Sequence, residues 1–181
     1  MAAVVAKIAA AAALGWVLAG CATAGSPAPA PATSAKHALL GQPIDFKLPL
    51  SSGGEQPVPA PGSRATLIEF WVTYCGACGR SLPRMQKLAS GLEKDGVKVE
   101  LVAVLYDDEA LENVTSRLRE WGVDREFLID RGGPTWRRFR IHVPGFVVLD
   151  SRGVVRWVGA VQAREGDAAA AARAVANGSL Q

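Results

Sequence analysis

The chain has 181 residues, 49% of them hydrophobic and 20% charged, which suits one globular domain plus an extension and leaves enough apolar material for a core. Its formal net charge of +3 is mild and its basic residues are spread out. That excludes the dense phosphate-neutralising surface that nucleic-acid binding needs.

The first twenty residues read as an export signal rather than as part of that domain. Lys7 and the amino terminus carry positive charge, and the apolar run over 8–19 falls short of the roughly 20 residues of a membrane-spanning helix. It ends in Leu-Ala-Gly-Cys (18–21), which resembles the bacterial lipobox, where a signal peptidase cuts before a cysteine that then carries lipid. A plain secretory signal cut near residues 22–25 is the competing reading. Lipidation accounts for the lone Cys21, an exported thiol that would otherwise be a liability in an oxidising compartment. Residues 22–36 are rich in Pro and Ala and poor in bulky apolar side chains. Such a segment cannot bury enough surface to fold, and is expected to act as a semi-rigid tether of up to ~45 Å at ~3.1 Å per residue.

The folded domain is expected to occupy 37–181. Residues 44–50 alternate as a short strand does, and a Gly/Pro-rich loop follows. The mostly apolar run 65–72 suits a strand covered on both faces. Leu82, Met85, Leu88 and Leu92 then recur at helical spacing until Gly96, and 97–106 reads as a strand entering the core. Leu111, Val114, Leu118 and Trp121 mark one face of a second helix closed by Gly122. A short strand over 127–130, a short helix over 134–139 opened by Pro134, a hairpin around 151–153 and an Ala-rich helix over 164–176 complete the order. Strands alternating with helices and ending in a hairpin imply an α/β fold, a mixed sheet with helices on both faces.

Cys75 and Cys78 fall where the strand 65–72 gives way to a helix. Free backbone N–H groups and the positive end of the helix dipole favour a thiolate at Cys75 there, and Cys78 lies on the same helical face within disulfide reach. Arg80 adds positive charge, and no acidic residue between Tyr74 and Leu92 opposes it. A zinc site needs about four N/S ligands, and only His37, His142 and the lipid-site Cys21 remain to supply them. Two inert core cysteines are the other alternative.

The stretch Ile68–Cys78, with Pro83 five residues after the second cysteine and the late Val143–Val155 segment, resembles the thioredoxin superfamily. The lipobox, the tether and the opening 39–50 are similar to TlpA-like membrane-anchored thiol–disulfide oxidoreductases, over about residues 39–160. This resemblance implies a thioredoxin-like fold and dithiol exchange, with Cys75 attacking and Cys78 resolving and with no cofactor beyond the pair itself. It also implies that Pro144 is a cis-proline facing the cysteines. Val143 would then offer its backbone to an incoming cysteine peptide, and Tyr74, just before the nucleophile, is assigned to the same substrate surface. The expected partners are exported cysteine-containing proteins and a membrane electron donor or acceptor. The expected location is the periplasmic face of the envelope, with the outer membrane favoured because Ala22 is not the aspartate associated with inner-membrane retention.

Glu69 interrupts an apolar strand at the position where cytoplasmic thioredoxins carry a buried acid, while many TlpA-like proteins have a neutral polar residue there. A buried carboxylate has a raised pKa and suits proton transfer with Cys78; the alternative is a glutamate paired with a basic residue at a strand edge. Ser81 stands where relatives often carry a carboxylate, and Gly76-Ala77 lacks the frequent proline, so the direction of electron flow stays open. His142, two residues before Pro144, is weighed as a thiolate partner or as a third copper(I) ligand beside the cysteines, against a surface role. A copper chaperone is therefore the main alternative function. A thiol peroxidase is a weaker one, because the proline and threonine expected before the reactive cysteine are missing. His37 reads as exposed, Arg137, Arg138 and Arg140 as a solvated face, and Trp71, Trp121, Trp136 and Trp157 as packing residues.

Replacing Cys21 with Ser is expected to abolish metabolic labelling of the protein by palmitate. Unchanged labelling in that variant contradicts the assignment of Cys21.

Overall fold

The computed structural model describes residues 37–180. The export signal, Cys21 and the tether read from the sequence lie outside the described residues. Eleven elements follow: β1 (Phe46–Pro49), β2 (Glu55–Val58), β3 (Ala65–Trp71), α1 (Cys78–Lys94), β4 (Val97–Leu105), α2 (Leu111–Glu120), β5 (Leu128–Arg131), α3 (Pro134–Phe139), β6 (Gly145–Asp150), β7 (Val155–Val158) and α4 (Glu165–Ala176).

Five strands form one mixed sheet in the order β5-β4-β3-β6-β7. β3, β4 and β5 run parallel, joined by the crossovers through α1 and α2, whereas β6 is antiparallel to β3 and β7 to β6. All seven residues of β3 are buried, because a strand with a neighbour on each side and cover on each face has no exposed position. Its side chains alternate between two cores. Ala65, Leu67 and Trp71 face the larger one, with the inner faces of α1, α2 and α4. Ile68 and Phe70 face the smaller one, closed by Phe139 of α3 and by Phe46, Leu48 and Val58 of the β1–β2 hairpin. Helices thus lie on both faces, but unequally.

Local chemistry sets the boundaries. α1 buries Cys78, Ser81, Leu82, Met85, Ala89 and Leu92, the stripe that a 3.6-residue period lays on one face. It stops at Gly96, whose φ of 79° is accessible to glycine at little steric cost. The β6–β7 connection turns at Gly153 with φ 80°. Trp71 and Trp157 are fully buried, and Trp121 sits edge-on to Trp71 with ring centroids 5.9 Å apart.

Two expectations are corrected. The loop expected after β1 contains a strand, β2, paired antiparallel with β1. Pro57 and Pro59 hide it in the sequence, because proline is tolerated in a strand that has only one partner. His37 is not an exposed tether end. It is half-buried, its Nε2 donates to the Phe139 carbonyl at 2.7 Å, and its Nδ1 accepts from the Leu39 amide at 3.3 Å. That pair of bonds fixes the neutral tautomer with the proton on Nε2.

Glu100, on β4, is 6% exposed and its Oε1 has no protein partner. Burial raises its pKa to about 7, against the opposing pull of Lys98 and Arg125. A carboxyl whose folded pKa lies above its unfolded value costs nothing at low pH, and destabilises as pH rises through the folded pKa. Glu100→Gln is therefore expected to stabilise the domain by about 1–3 kcal/mol at pH 8 and to be neutral near pH 4, measured by urea denaturation. An equal effect at both pH values contradicts this reading of Glu100.

Candidate active site

The end of β3 fixes the reactive pair. After Trp71 the chain turns through residues 72–77 and enters α1 at Cys78, so Cys75 lies in the turn and Cys78 in the first helical position. The two are disulfide-bonded, with Cα atoms 5.2 Å apart. Their surroundings differ: Cys78 is fully buried while Cys75 is partly exposed, so an incoming thiol meets Cys75 alone. The Cys78 amide donates to the Cys75 sulfur at 3.0 Å, and the first turn of α1 contains no acidic residue. Both features stabilise negative charge on that sulfur once the disulfide opens. Arg80 donates to the Gly76 carbonyl at 3.1 Å, which keeps its cation beside the turn.

The opposite wall comes from the start of β6. The Val143–Pro144 peptide is cis, and Gly145 follows where a Cβ would strike the His142 carbonyl oxygen and the Ile141 side chain. Val143 is half-buried against both cores. A groove passes between the α1 terminus and this loop, bordered by Ala77, Arg80, Ser81, Val143, Pro144 and Glu165. The resemblance-based residues Cys75, Cys78, Val143 and Pro144 thus occupy one end of the sheet.

Tyr74 stands on the other side of Cys75, 67% exposed, and stacks on Tyr106 with centroids 5.7 Å apart and planes 16° apart. Its pKa is raised, first by the hydrogen bond with Tyr106 and then by burial and nearby negative charge. Tyr106, 60% exposed, was not anticipated from the sequence. It sits in the loop after β4, which other residues brace: Glu109 accepts from the Thr73 hydroxyl at 2.6 Å and the Tyr106 amide at 3.4 Å. Arg131 donates to the Tyr106, Asp107 and Glu109 carbonyls at 3.0–3.1 Å. No motif marks this bracket, because its members are distant in sequence and meet only when β5 pairs with β4. Beside the two tyrosines a cavity of about 280 Å³ is lined by Val72, Val104, Trp136 and Val143.

Glu69 alternates with Leu67 and Trp71 on the face of β3 that α1 covers, the core that also receives Cys78. It occupies the central strand, with Leu101 of β4 on one side and Phe146 of β6 on the other. Its exposure is 0%, and neither carboxyl oxygen has a hydrogen-bonding or ionic partner in the protein. The alternative of a strand-edge glutamate paired with a basic residue is therefore wrong. Burial raises its pKa to about 8; the Ser81 hydroxyl opposes that rise and the charge of Glu165 adds to it. Ser81 faces the carboxyl closely enough to act on it but outside hydrogen-bond geometry, since its Oγ also has no partner.

His142 is exposed at the groove rim. Among the described residues no three His, Cys, Asp or Glu side chains converge as metal ligands while Cys75 and Cys78 are joined in the disulfide. Arg137 bonds the Gly132 carbonyl, and Arg140 terminates α3 with a left-handed φ of 49°.

A strand–Cys-x-x-Cys–helix unit opposite a cis-proline loop on a mixed sheet defines a thioredoxin-fold protein with a dithiol site. The chain belongs to the Redoxin family, whose sequence model matches residues 23–175. It is similar to the thioredoxin-like protein YneN of Bacillus subtilis, 26% identical over 114 residues that cover 62% of this chain and 65% of YneN. It is also similar to the thiol-disulfide oxidoreductase ResA of Halalkalibacterium halodurans, 32% identical over 69 residues, 38% of each chain. The chain thus spans less than two thirds of either relative. In structure it resembles the thioredoxin domain of a thiol-disulfide oxidoreductase from Bacteroides vulgatus, with a TM-score of 0.60 at 14% identity, over 72% of this chain and 93% of that one. These relatives support the TlpA-like resemblance read from the sequence.

Proposed function

We propose that this protein is a thiol–disulfide oxidoreductase that exchanges disulfides with exported cysteine-containing proteins while anchored to the envelope through Cys21. The observation that carries the chemistry is the unequal burial of the bonded pair, with Cys75 partly exposed in the turn before α1 and Cys78 fully buried in its first position. The export signal and lipobox support the envelope address and the lipid anchor. The nature of the substrate is supported by the surface. Among the described residues, the large apolar side chains left exposed are Tyr74, Tyr106 and Val161. All three stand around this site, Val161 in the wall beyond Pro144. Exposed apolar side chains gathered at one place suit a macromolecular partner, and Val143 offers an extended peptide strand-like pairing.

The exchange follows from the geometry. A substrate thiolate attacks the Cys75 sulfur, the Cys75–Cys78 bond breaks, and the electron pair leaves on Cys78. Glu69, held protonated near neutral pH by burial, gives its proton to that leaving sulfur. In the reducing direction the Cys75 thiolate attacks a substrate disulfide. Cys78 then loses its proton to ionised Glu69 as it displaces the substrate sulfur. With a carboxyl pKa of about 8, Glu69 is populated both protonated and ionised around neutral to mildly alkaline pH. The same carboxyl therefore serves both directions.

The Cys78→Ser variant is expected to accumulate mixed disulfides with its physiological substrates, whereas Cys75→Ser traps far less because Cys78 is shielded. Equal trapping by the two variants overturns the assignment of roles. Glu69→Gln is expected to slow Cys78-dependent resolution by roughly 10²-fold while leaving the first attack by Cys75 nearly unchanged. Equal slowing of both steps returns Glu69 to a structural role. Mass spectrometry of the adducts and stopped-flow kinetics supply the readouts.

A further inference from the structure

Glu69 has no exposed atom, yet proton transfer with Cys78 in each turnover requires it to exchange a proton with solvent. A buried carboxyl without a partner has no route of its own. The face of α1 that covers it is otherwise apolar: beyond Cys78, its buried residues are Leu82, Met85, Ala89, Leu92 and one polar residue, Ser81. Ser81 is 5% exposed, its Oγ has no protein partner, and it follows Cys78 by three positions on the same buried stripe. Its other side borders the groove that passes Pro144. Two unpartnered buried polar groups therefore face each other, and only one of them reaches the groove. An orphaned hydroxyl in a core is destabilising, so packing alone does not favour serine there.

We propose that Ser81 is the proton relay that connects Glu69 to the active-site groove. A hydroxyl both accepts and donates, so a proton arriving from Glu69 on its oxygen releases the hydroxyl proton to solvent on the groove side. In the reducing direction the balance closes. The Cys78 thiol proton moves to Glu69 as the Cys75–Cys78 bond forms, and the substrate leaves with the electron pair on its sulfur. Because the carboxyl is protonated near neutral pH, it first loses its own proton through Ser81 before it accepts that of Cys78, and it loses the second proton by the same path, so resolution itself waits on the relay. In the oxidising direction the same path runs inward and reloads the carboxyl.

The charged groups around the path come from three elements. Glu165, at the start of α4, borders the same groove and is ion-paired with Arg84 of α1 at 3.1 Å. Its side chain is only 13% exposed, so its negative charge acts on Glu69 through protein rather than through bulk water. Arg80 and Arg164 lie on the outer wall, and His142 on the opposite rim. Ser81 is thus a positioning and relay residue that acts through Glu69.

The inference rests on the role proposed for Glu69, and the test separates the two. In the full chain, the Cys75 mixed disulfide with an aromatic thiol is formed and its resolution by Cys78 is followed against pH in the parent, Ser81→Ala, Ser81→Thr and Glu69→Gln proteins. Ser81→Ala is expected to slow resolution about tenfold and to flatten its pH dependence around the Glu69 titration, with Cys75's first attack changed by less than about twofold. Ser81→Thr keeps a hydroxyl and is expected to recover most of the lost rate. Unchanged resolution in Ser81→Ala, with Glu69→Gln slow, overturns the relay and leaves the Glu69 role standing. Equal slowing of attack and resolution in Ser81→Ala, or no recovery in Ser81→Thr, makes Ser81 a packing residue and also overturns it. If Glu69→Gln itself resolves at the parent rate, both readings fall.

Discussion

The placement of β3 governs the site. It is hydrogen-bonded to β4 on one side and β6 on the other, and both of its faces are covered. No charge belongs in such a strand, because removing a carboxylate from water without a partner costs several kcal/mol. Glu69 sits there nonetheless, and the conflict is relieved by protonation: its pKa rises to about 8. One buried group with a proton near neutral pH, in the core that also receives Cys78, is the feature from which the rest of the chemistry follows.

The same strand sets the asymmetry between the sulfurs. β3 ends at Trp71, and the covering helix begins at Cys78. Whatever lies in the intervening turn is lifted to the surface, and whatever opens the helix is pressed onto the sheet. Cys75 therefore gains the helix-terminal amide and partial exposure, while Cys78 gains burial on the same helical stripe as Ser81. Tyr74 and Tyr106 extend the surface on one side and the Val143–Pro144 loop closes the other. The bracing of Tyr106 by Glu109 and Arg131 keeps that aromatic pair in place without drawing on the core.

Much of this was legible in the chain because local patterns and tertiary environment agree. The run at 65–72, the helical spacing after Cys78, Pro134 opening α3 and the hairpin glycine at 153 each name their element to within a residue or two. The failures lie where partners come from afar. β2 is a strand only because β1 lies beside it, and Pro57 within it and Pro59 just after it argue for a loop. His37 looks free until the end of α3 supplies a carbonyl. Tyr106 becomes part of the site only when β5 brings Arg131 beneath its loop. Ser81 reads as a departure from the related sequences. Its isolation beside an equally isolated Glu69 is a property of packing that periodicity does not carry.

The central claim is that burial keeps the Glu69 carboxyl protonated at neutral pH in the oxidised protein. Site-specific ¹³C labelling of that carboxyl, followed by NMR across pH 3 to 10 in the oxidised full chain, measures it directly. The structure predicts a titration midpoint near 8. A midpoint near the ~4.3 of an unperturbed glutamate contradicts the account, because an ionised Glu69 has no proton to give the leaving sulfur.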